Sequence, residues 1–200
     1  MSELRPDLDR LIEFHKFLLN FRNIERVVHL EHAGKIIKEN DVEHSYFLAM
    51  MAWYLASFFP KLDRDLLIRT ALVHDLVEVY AGDTYIYADE AVLSTKQKRE
   101  KEAAEKIVNE WPDFPQMNKL IEDYEVKKTD EAKFIYALDK IMPIILNLIS
   151  GGVTWKTMDI SLEKLHKNKK DKVAVSKEVN DYYEEIYKIL ESSSHLFPAK

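Results

Sequence analysis

The amino-acid sequence predicts an all-α fold in a single domain, and three observations support this prediction. The chain has 200 residues, of which 46% are hydrophobic and 32% are charged, so it can bury roughly 70% of its unfolded surface around one core. Only four residues are glycine, which leaves little material for the tight turns of a many-stranded sheet. Apolar residues also recur at helical spacing along the chain.

The N-terminal segments are predicted to form two helices followed by a loop. Pro6 favours a helix start, and the apolar face of this first helix carries Leu8, Leu11, Ile12, His15, Leu18 and Leu19. The segment NIERVVHL (23–30) is predicted to form a shorter helix. The segment EHAGKIIKEN (31–40) is predicted to be a loop.

The next helix runs to Phe58 or Phe59 and is apolar on nearly every side. Asn40 or Asp41 could cap it, and Asn40 with Glu43 resembles a capping box. Because a helix without a polar face is expected inside a fold, we predict that this one is central.

The second part of the chain is predicted to be helical with polar connections. Asp63 or Asp65 caps the helix DLLIRTALVHDLVEVY (65–80), which ends near Gly82. Further helices are predicted over residues 96–111, 114–128 and 130–149, with a C-terminal packing helix over about 173–192. The basic run HKNKKDK (166–172) is predicted to be a solvated loop.

Charge and composition exclude several classes of protein. A net charge of −6 and a pI near 5.7 argue against a protein that holds long nucleic acid by its phosphates. The chain has no cysteine, so disulfide scaffolds and thiolate zinc sites are excluded. Any bound metal must therefore use nitrogen and oxygen ligands, and a small anionic ligand remains compatible with the charge.

We predict a cytoplasmic protein that does not enter the membrane. The N-terminus MSELRPDLDRLIEF carries acidic residues and lacks the basic and apolar regions of a signal peptide. The longest apolar stretch without a charged residue, Ser45 to Pro60, has 16 residues, whereas a transmembrane helix needs about 20.

Ionisable residues occur inside the three most apolar predicted helices. They are His44, the adjacent pair His74 and Asp75, and Asp139. Because an unpaired buried carboxylate costs several kcal/mol or more, these side chains need compensation. Two imidazoles and two carboxylates would neutralise a divalent cation, and this ligand set suits zinc, iron, manganese or cobalt.

Glu78 lies one helical turn beyond His74 and on the same face. This spacing places a carboxylate beside the predicted metal, where a general base would stand. Simpler readings exist for each residue alone: His44 as a satisfied core histidine, Asp139 with Lys140 as surface charge, and Glu78 as an ion pair with Arg69 or Lys61. The metal site explains all of them together.

Three motifs resemble those of the HD-domain metal-dependent phosphohydrolases. They are ENDVEHS (39–45), LVHDLVEVYAGDT (72–84) and EAKFIYALDKIMPIILNLISGGVTW (131–155), and the resemblance covers about residues 23–155. It implies an HD-domain helical bundle that is commonly a homodimer. It further implies one divalent metal ion, Mn, Co, Zn, Fe or Ni, bound by His44, His74, Asp75 and Asp139.

The resemblance extends to the 5′-deoxynucleotidase branch through the EHS, HDxxE and GD elements. It implies hydrolysis of (deoxy)nucleoside 5′-monophosphates to nucleoside and phosphate. Glu78 would hold or activate the attacking water, and Asp83 would act in the same site by contacting the sugar.

The phosphate-binding residue of that branch has two candidate positions here. Arg26 stands 18 residues before His44 and His29 stands 15 before it, while Lys35 and Lys38 are also near. Two other functions remain open: hydrolysis of a cyclic, triphosphate or pyrophosphorylated nucleotide, and a metal-stabilised module that binds a nucleotide without turnover.

Overall fold

The computed structural model describes residues 5–199, except for the side chains of residues 30–32. These residues form α-helices and one two-stranded antiparallel sheet. The elements in chain order are α1 (Leu8–Arg22), β1 (Glu25–His32), β2 (Lys35–Asn40), α2 (Asp41–Ala56), α3 (Arg64–Val73), α4 (Glu78–Ala81), α5 (Glu90–Glu110), α6 (Pro115–Glu125), α7 (Asp130–Ile149), α8 (Val153–Thr157), α9 (Leu162–Val173), α10 (Lys177–Glu191) and a short 3₁₀ helix (Ser194–Leu196). The all-α, single-domain prediction is confirmed.

Side-chain caps start several helices at the residues that the sequence indicated. Asn40 forms the capping box with Glu43 at the start of α2, and Asp63 accepts hydrogen bonds from the first turn of α3. The hydroxyl of Thr129 accepts from the main-chain N–H of Ala132 at the start of α7. These contacts satisfy main-chain N–H groups that have no partner inside the helix.

The hairpin of β1 and β2 corrects the prediction of a short helix and a loop over residues 23–40. Its two-residue turn is Ala33–Gly34, and both residues have positive φ, as hairpin turns of the tightest kind require. The β-branched residues Val27 and Val28 favour a strand. The segment was too short for helical periodicity to distinguish the two structures.

The predicted apolar face of α1 and the predicted central position of α2 are corrected by the structure. In α1 the buried residues are Phe17 and Phe21, whereas the predicted face is exposed, with Leu8 at 70%. In α2 one side is buried but the opposite side faces solvent, with Tyr54 63% exposed. Both helices carry two apolar stripes, and the sequence alone did not show which stripe packs.

Two clusters of buried side chains form the core. The larger cluster joins α2, α3, α7, α9 and α10, and the smaller joins α1, α5, α6 and the segment around Leu76 and Val77. Helix α7 lies centrally in the larger cluster, which explains why Asp139, in the middle of α7, is only 2% exposed. Among residues 5–199, no helix is long and apolar enough to cross a bilayer.

Two further segments differ from their predicted structure. The helix predicted over 65–80 is interrupted at His74–Val77, where tight turns separate α3 from α4 and the main-chain N–H of Glu78 donates to the carbonyl of Asp75 (2.8 Å). The basic run 166–172 lies within α9 rather than in a solvated loop, and Lys169 is 5% exposed. The charge of the run predicted a solvated loop, but Lys169 faces inward and packs its aliphatic chain in the interior.

Candidate metal centre

Four predicted ligands converge from three parts of the fold. His44 is on α2, His74 and Asp75 are in the turn between α3 and α4, and Asp139 is on α7. One ligand atom from each of the four lies within 4.8 Å of the others. His44, His74 and Asp139 are nearly inaccessible to solvent, at 1–2% exposure. The structure thus brings together all four residues that the sequence assigned to a metal.

The geometry of His74 leaves one nitrogen available for a cation. Its Nδ1 lies 2.8 Å from the main-chain carbonyl of Ala71, an interaction that fixes the ring and directs Nε2 toward the cluster. Nε2 is buried without a hydrogen bond among the described residues, although Asp75 Oδ2 is 3.0 Å away. A buried, unpaired imidazole nitrogen beside carboxylates is what a divalent cation would satisfy.

His44 contacts carboxylates through both ring nitrogens. Nε2 lies 3.0 Å from Asp139 Oδ1 and Nδ1 lies 3.5 Å from Glu39 Oε2. Burial lowers the pKa of His44, but the contacts with Asp139 and Glu39 outweigh it and raise the pKa above its ordinary value. Glu39 stands where an outer carboxylate orients a metal-binding histidine.

Arg26 lies inside this acidic cluster. Its guanidinium is 2.8 Å from Asp75, 3.1 Å from Asp41, 3.4 Å from Glu39 and 3.8 Å from Asp139. The pairing of β1 with β2 explains its position, because the three residues of β1 between Glu25 and His29 lie opposite the one residue of β2 between Asn40 and Lys38. Such a bulge redirects the side chains of the longer strand.

Of the two candidates for the phosphate-binding residue, Arg26 lies beside the four predicted metal ligands. The main-chain N–H of His29 instead donates to Thr154 Oγ1 (2.9 Å), and its ring Nδ1 is buried without a partner in the described part of the chain. Lys38 forms an exposed ion pair with Glu25, and Lys35 is exposed near the hairpin turn.

Glu78 is buried beside the predicted ligands, at 5% exposure, and forms no ion pair with a surface cation among residues 5–199. A carboxylate oxygen of Glu78 lies within 4.8 Å of oxygens from Asp41 and Asp75. Burial and then the charges of Asp75 and Asp41 raise the pKa of Glu78 well above its ordinary value. A buried carboxyl beside a cation site is positioned to act as a general base or acid.

A cavity of about 100 Å³ lies next to the cluster. Arg26, Asp83 and Asp139 line it on the cluster side, while Tyr85, Tyr87, Trp155, Ile160, Leu165 and Lys169 form other parts of its wall. Gly82 ends α4 with a φ of 72°, a conformation that glycine adopts readily. Burial is the main cause that raises the pKa of Asp83.

Several charged residues of this centre are not expected from the sequence. The sequence places Glu39 at the end of a loop, Asp41 at a helix cap and both in the motif ENDVEHS, without a role at the centre, but both are buried and pair with Arg26. Lys140 was considered as surface charge, but it forms an ion pair with buried Asp139. Two acids flanking Asn40 at the start of an apolar helix were the available signal for Glu39 and Asp41.

We expect Mn²⁺ to stabilise the protein more at pH 8 than at pH 5.5. Metal must displace the proton that His44 retains because of its raised pKa. In the metal-free protein, the stabilisation from that proton is present below the unfolded-state pKa near 6.5 and is lost as pH rises through the folded-state pKa. Metal affinity therefore rises over the same pH interval in which the metal-free fold loses stability.

Thermal unfolding with and without Mn²⁺ at both pH values measures this difference. A concentration of about 100 times Kd at pH 8 adds about 2.7 kcal/mol, or roughly 5–11 °C in Tm for a chain of this size. An equal shift at the two pH values would contradict the prediction.

Comparison with known proteins identifies the family. The family model described as "HD domain" matches residues 20–180. A mouse protein named 5′-deoxynucleotidase HDDC2 is 32% identical over 127 residues, which cover 62% of this chain and 57% of that protein. The chain thus spans little more than half the length of this curated relative.

Solved structures show the same architecture. A predicted metal-dependent phosphohydrolase from Magnetospirillum magnetotacticum MS-1 superposes with a TM-score of 0.77 and 31% identity, covering 94% of this chain and 96% of that one. An HD-domain phosphohydrolase from Listeria innocua shares the fold at 18% identity and a TM-score of 0.62, with 93% and 92% coverage. On the match over residues 20–180, this chain belongs to the HD domain family.

Proposed function

We propose that this protein is a metal-dependent phosphohydrolase that releases phosphate from (deoxy)nucleoside 5′-monophosphates. One observation carries the proposal: two histidines and two aspartates with ligand atoms within 4.8 Å of one another lie beside buried Glu78 and Arg26. The names of the mouse and Magnetospirillum proteins support the same reaction class.

His44, His74, Asp75 and Asp139 would hold the cation. A divalent cation in such a site supplies Lewis acidity, which polarises a phosphoryl oxygen and makes water a stronger nucleophile at neutral pH. Its identity among Mn, Co, Zn, Fe and Ni is not decided by these ligands, because each accepts nitrogen and oxygen donors.

Three other residues have proposed roles in the reaction. Glu78 accepts a proton from the attacking water, which its buried position beside the ligands permits. Arg26 balances negative charge on the phosphoryl group as that charge develops. Asp83, on the wall of the cavity, accepts a hydrogen bond from a sugar hydroxyl.

The cavity wall suits the nucleoside part of such a substrate. Tyr85, Tyr87 and Trp155 contribute aromatic surface within the same cavity that Arg26 and Asp83 line. Nucleotide sites commonly combine apolar walls with a few polar groups that fix orientation.

A phosphate-release screen tests the proposal. Metal-stripped protein is assayed with deoxy- and ribonucleoside monophosphates after addition of Mn²⁺, Co²⁺, Zn²⁺ or Mg²⁺. We expect release from at least one monophosphate with one of these metals. Metal binding without release from any monophosphate would reject the proposal and favour a nucleotide-binding module. Release only from a cyclic, triphosphate or pyrophosphorylated nucleotide would assign the substrate to that class instead.

We also propose that the protein is a homodimer. Its cytoplasmic location stays a separate prediction. The outward side of α2 and the turn that follows it carry six large apolar side chains that are each 44–63% exposed: Tyr46, Phe47, Met50, Trp53, Tyr54 and Phe58. A contiguous exposed apolar surface commonly marks an interaction site. Light scattering should give twice the 23.5 kDa chain mass, and a monomer at micromolar concentrations would refute the proposal.

A further inference from the structure

Lys169 is a buried lysine for which the metal centre gives no role. It lies on α9, is 5% exposed and contributes to the wall of the cavity next to the metal cluster. Among the contacts of residues 5–199, its ammonium group forms no ion pair and no hydrogen bond, unlike the ammonium groups of Lys140 and Lys172. Buried lysines are rare without a partner.

Neighbouring lysines differ from Lys169 in this respect. Lys140, on the same cavity wall, pairs with Asp139, and Lys172 donates to Asn168 Oδ1 (3.0 Å). Burial and then repulsion from Lys140 lower the pKa of Lys169 to about 7, although Asp139 opposes the shift. The ammonium of Lys169 therefore lacks the compensation that its neighbours have.

An anion in the cavity would supply that compensation. A buried charge without a partner costs free energy, and a group carrying the opposite charge removes much of that cost. The cavity connects Lys169 with Arg26 and Asp139 of the metal cluster, since all three residues line it. The space open to the centres of water molecules is about 100 Å³ and the cavity opens to solvent, so a phosphate group has room there while the nucleoside extends along the wall.

We propose that Lys169 is a phosphate-binding residue, whose ammonium contacts the phosphoryl oxygens of the substrate from the side of the cavity formed by α9. This inference rests on the proposed function for the identity of the substrate, and it adds a second cation to Arg26. The two side chains approach the cavity from different elements, α9 and β1, and their positive charges favour a phosphate over a neutral group.

Calorimetric titration with inorganic phosphate tests the proposal without requiring turnover. Mn²⁺-loaded wild-type protein is compared at pH 7 with Lys169→Met, Lys169→Arg and the control Lys170→Met, which removes an exposed lysine from the adjacent position of α9. We expect Lys169→Met to bind phosphate about 10- to 100-fold more weakly, as for loss of a charged hydrogen bond. Lys169→Arg should recover part of the affinity and Lys170→Met should bind as wild type.

A neutral ligand separates phosphate binding from binding of the nucleoside. Titration with deoxyadenosine should give the same affinity for Lys169→Met and wild type, because the nucleoside has no phosphate. Phosphate affinity within threefold of wild type in Lys169→Met, or an equal loss for phosphate and deoxyadenosine, would overturn the proposal. Circular dichroism checks folding, and Lys169→Gln replaces Lys169→Met if the latter does not fold.

The outcome is distinguishable from failure of the proposed function. If no monophosphate is hydrolysed but Lys169→Met selectively loses phosphate, Lys169 is a phosphate ligand in a protein with another activity. If monophosphates are hydrolysed and the variant keeps wild-type phosphate affinity, the assignment of Lys169 is wrong while the proposed function stands.

Discussion

Replacement of Glu78 by glutamine is expected to lower kcat for phosphate release by about 10²- to 10⁴-fold, the usual contribution of a general base. Glutamine has nearly the same shape but cannot accept the proton. Because burial and then the charges of Asp75 and Asp41 raise the pKa of Glu78, a neutral side chain is tolerated there and the fold should persist. Metal content should remain that of wild type.

Steady-state kinetics and metal analysis check this prediction together. Glu185→Gln is the matched control, since Glu185 is exposed on α10 and its loss should not change kcat. A Glu78→Gln variant that turns over at the wild-type rate would remove Glu78 from the reaction. A variant that loses its metal would instead make Glu78 a ligand.

Replacement of Asp75 by asparagine is expected to abolish metal binding and turnover together. Asp75 contributes one of the four convergent ligand atoms and is also the partner of Arg26 at 2.8 Å. Loss of an outer-shell partner commonly costs 10- to 100-fold in metal affinity, so loss of a direct ligand should cost more than about 100-fold. Mn²⁺ should then no longer raise Tm.

Asp171→Asn provides the comparison for this variant, because Asp171 is exposed on α9. Elemental analysis after dialysis against Mn²⁺ measures occupancy, and thermal unfolding with and without Mn²⁺ measures the coupling to stability. Wild-type metal content in Asp75→Asn would contradict the assignment of Asp75 as a ligand.

Helical periodicity over long segments predicted most of the helices. The structure was needed to assign the short segments and to show which helix faces are buried. The caps at Asn40 and Thr129 are confirmed because a side chain acts on main-chain groups a few residues away. The hairpin was missed because its short segments carry no helical or strand periodicity long enough to decide. The exposed side of α2 was missed because tertiary packing chose between two apolar stripes.

The candidate site likewise contains residues that the sequence predicts and residues that only the structure reveals. His44, His74, Asp75 and Asp139 could be grouped from sequence because charged or imidazole groups in apolar helices are costly unless compensated. Their meeting within 4.8 Å agrees with that reasoning, while their role as ligands stays a proposal.

The remaining site residues can be recognised only from contacts between distant parts of the chain. Glu39 and Asp41 matter because they meet Arg26, and Lys169 matters because α9 turns it inward. No local pattern specifies such contacts.

The bulge in β1 makes the chemistry of the centre sensitive to chain length as well as to side-chain identity. A shift of one residue in a strand moves its side chains to the opposite face of the sheet. Deleting Val27 or Val28 would therefore shorten the irregular segment between Glu25 and His29 and turn Arg26 away from Asp75 without altering any metal ligand. A change in the number of residues at this point could therefore replace the proposed anion-binding group while preserving the proposed cation site.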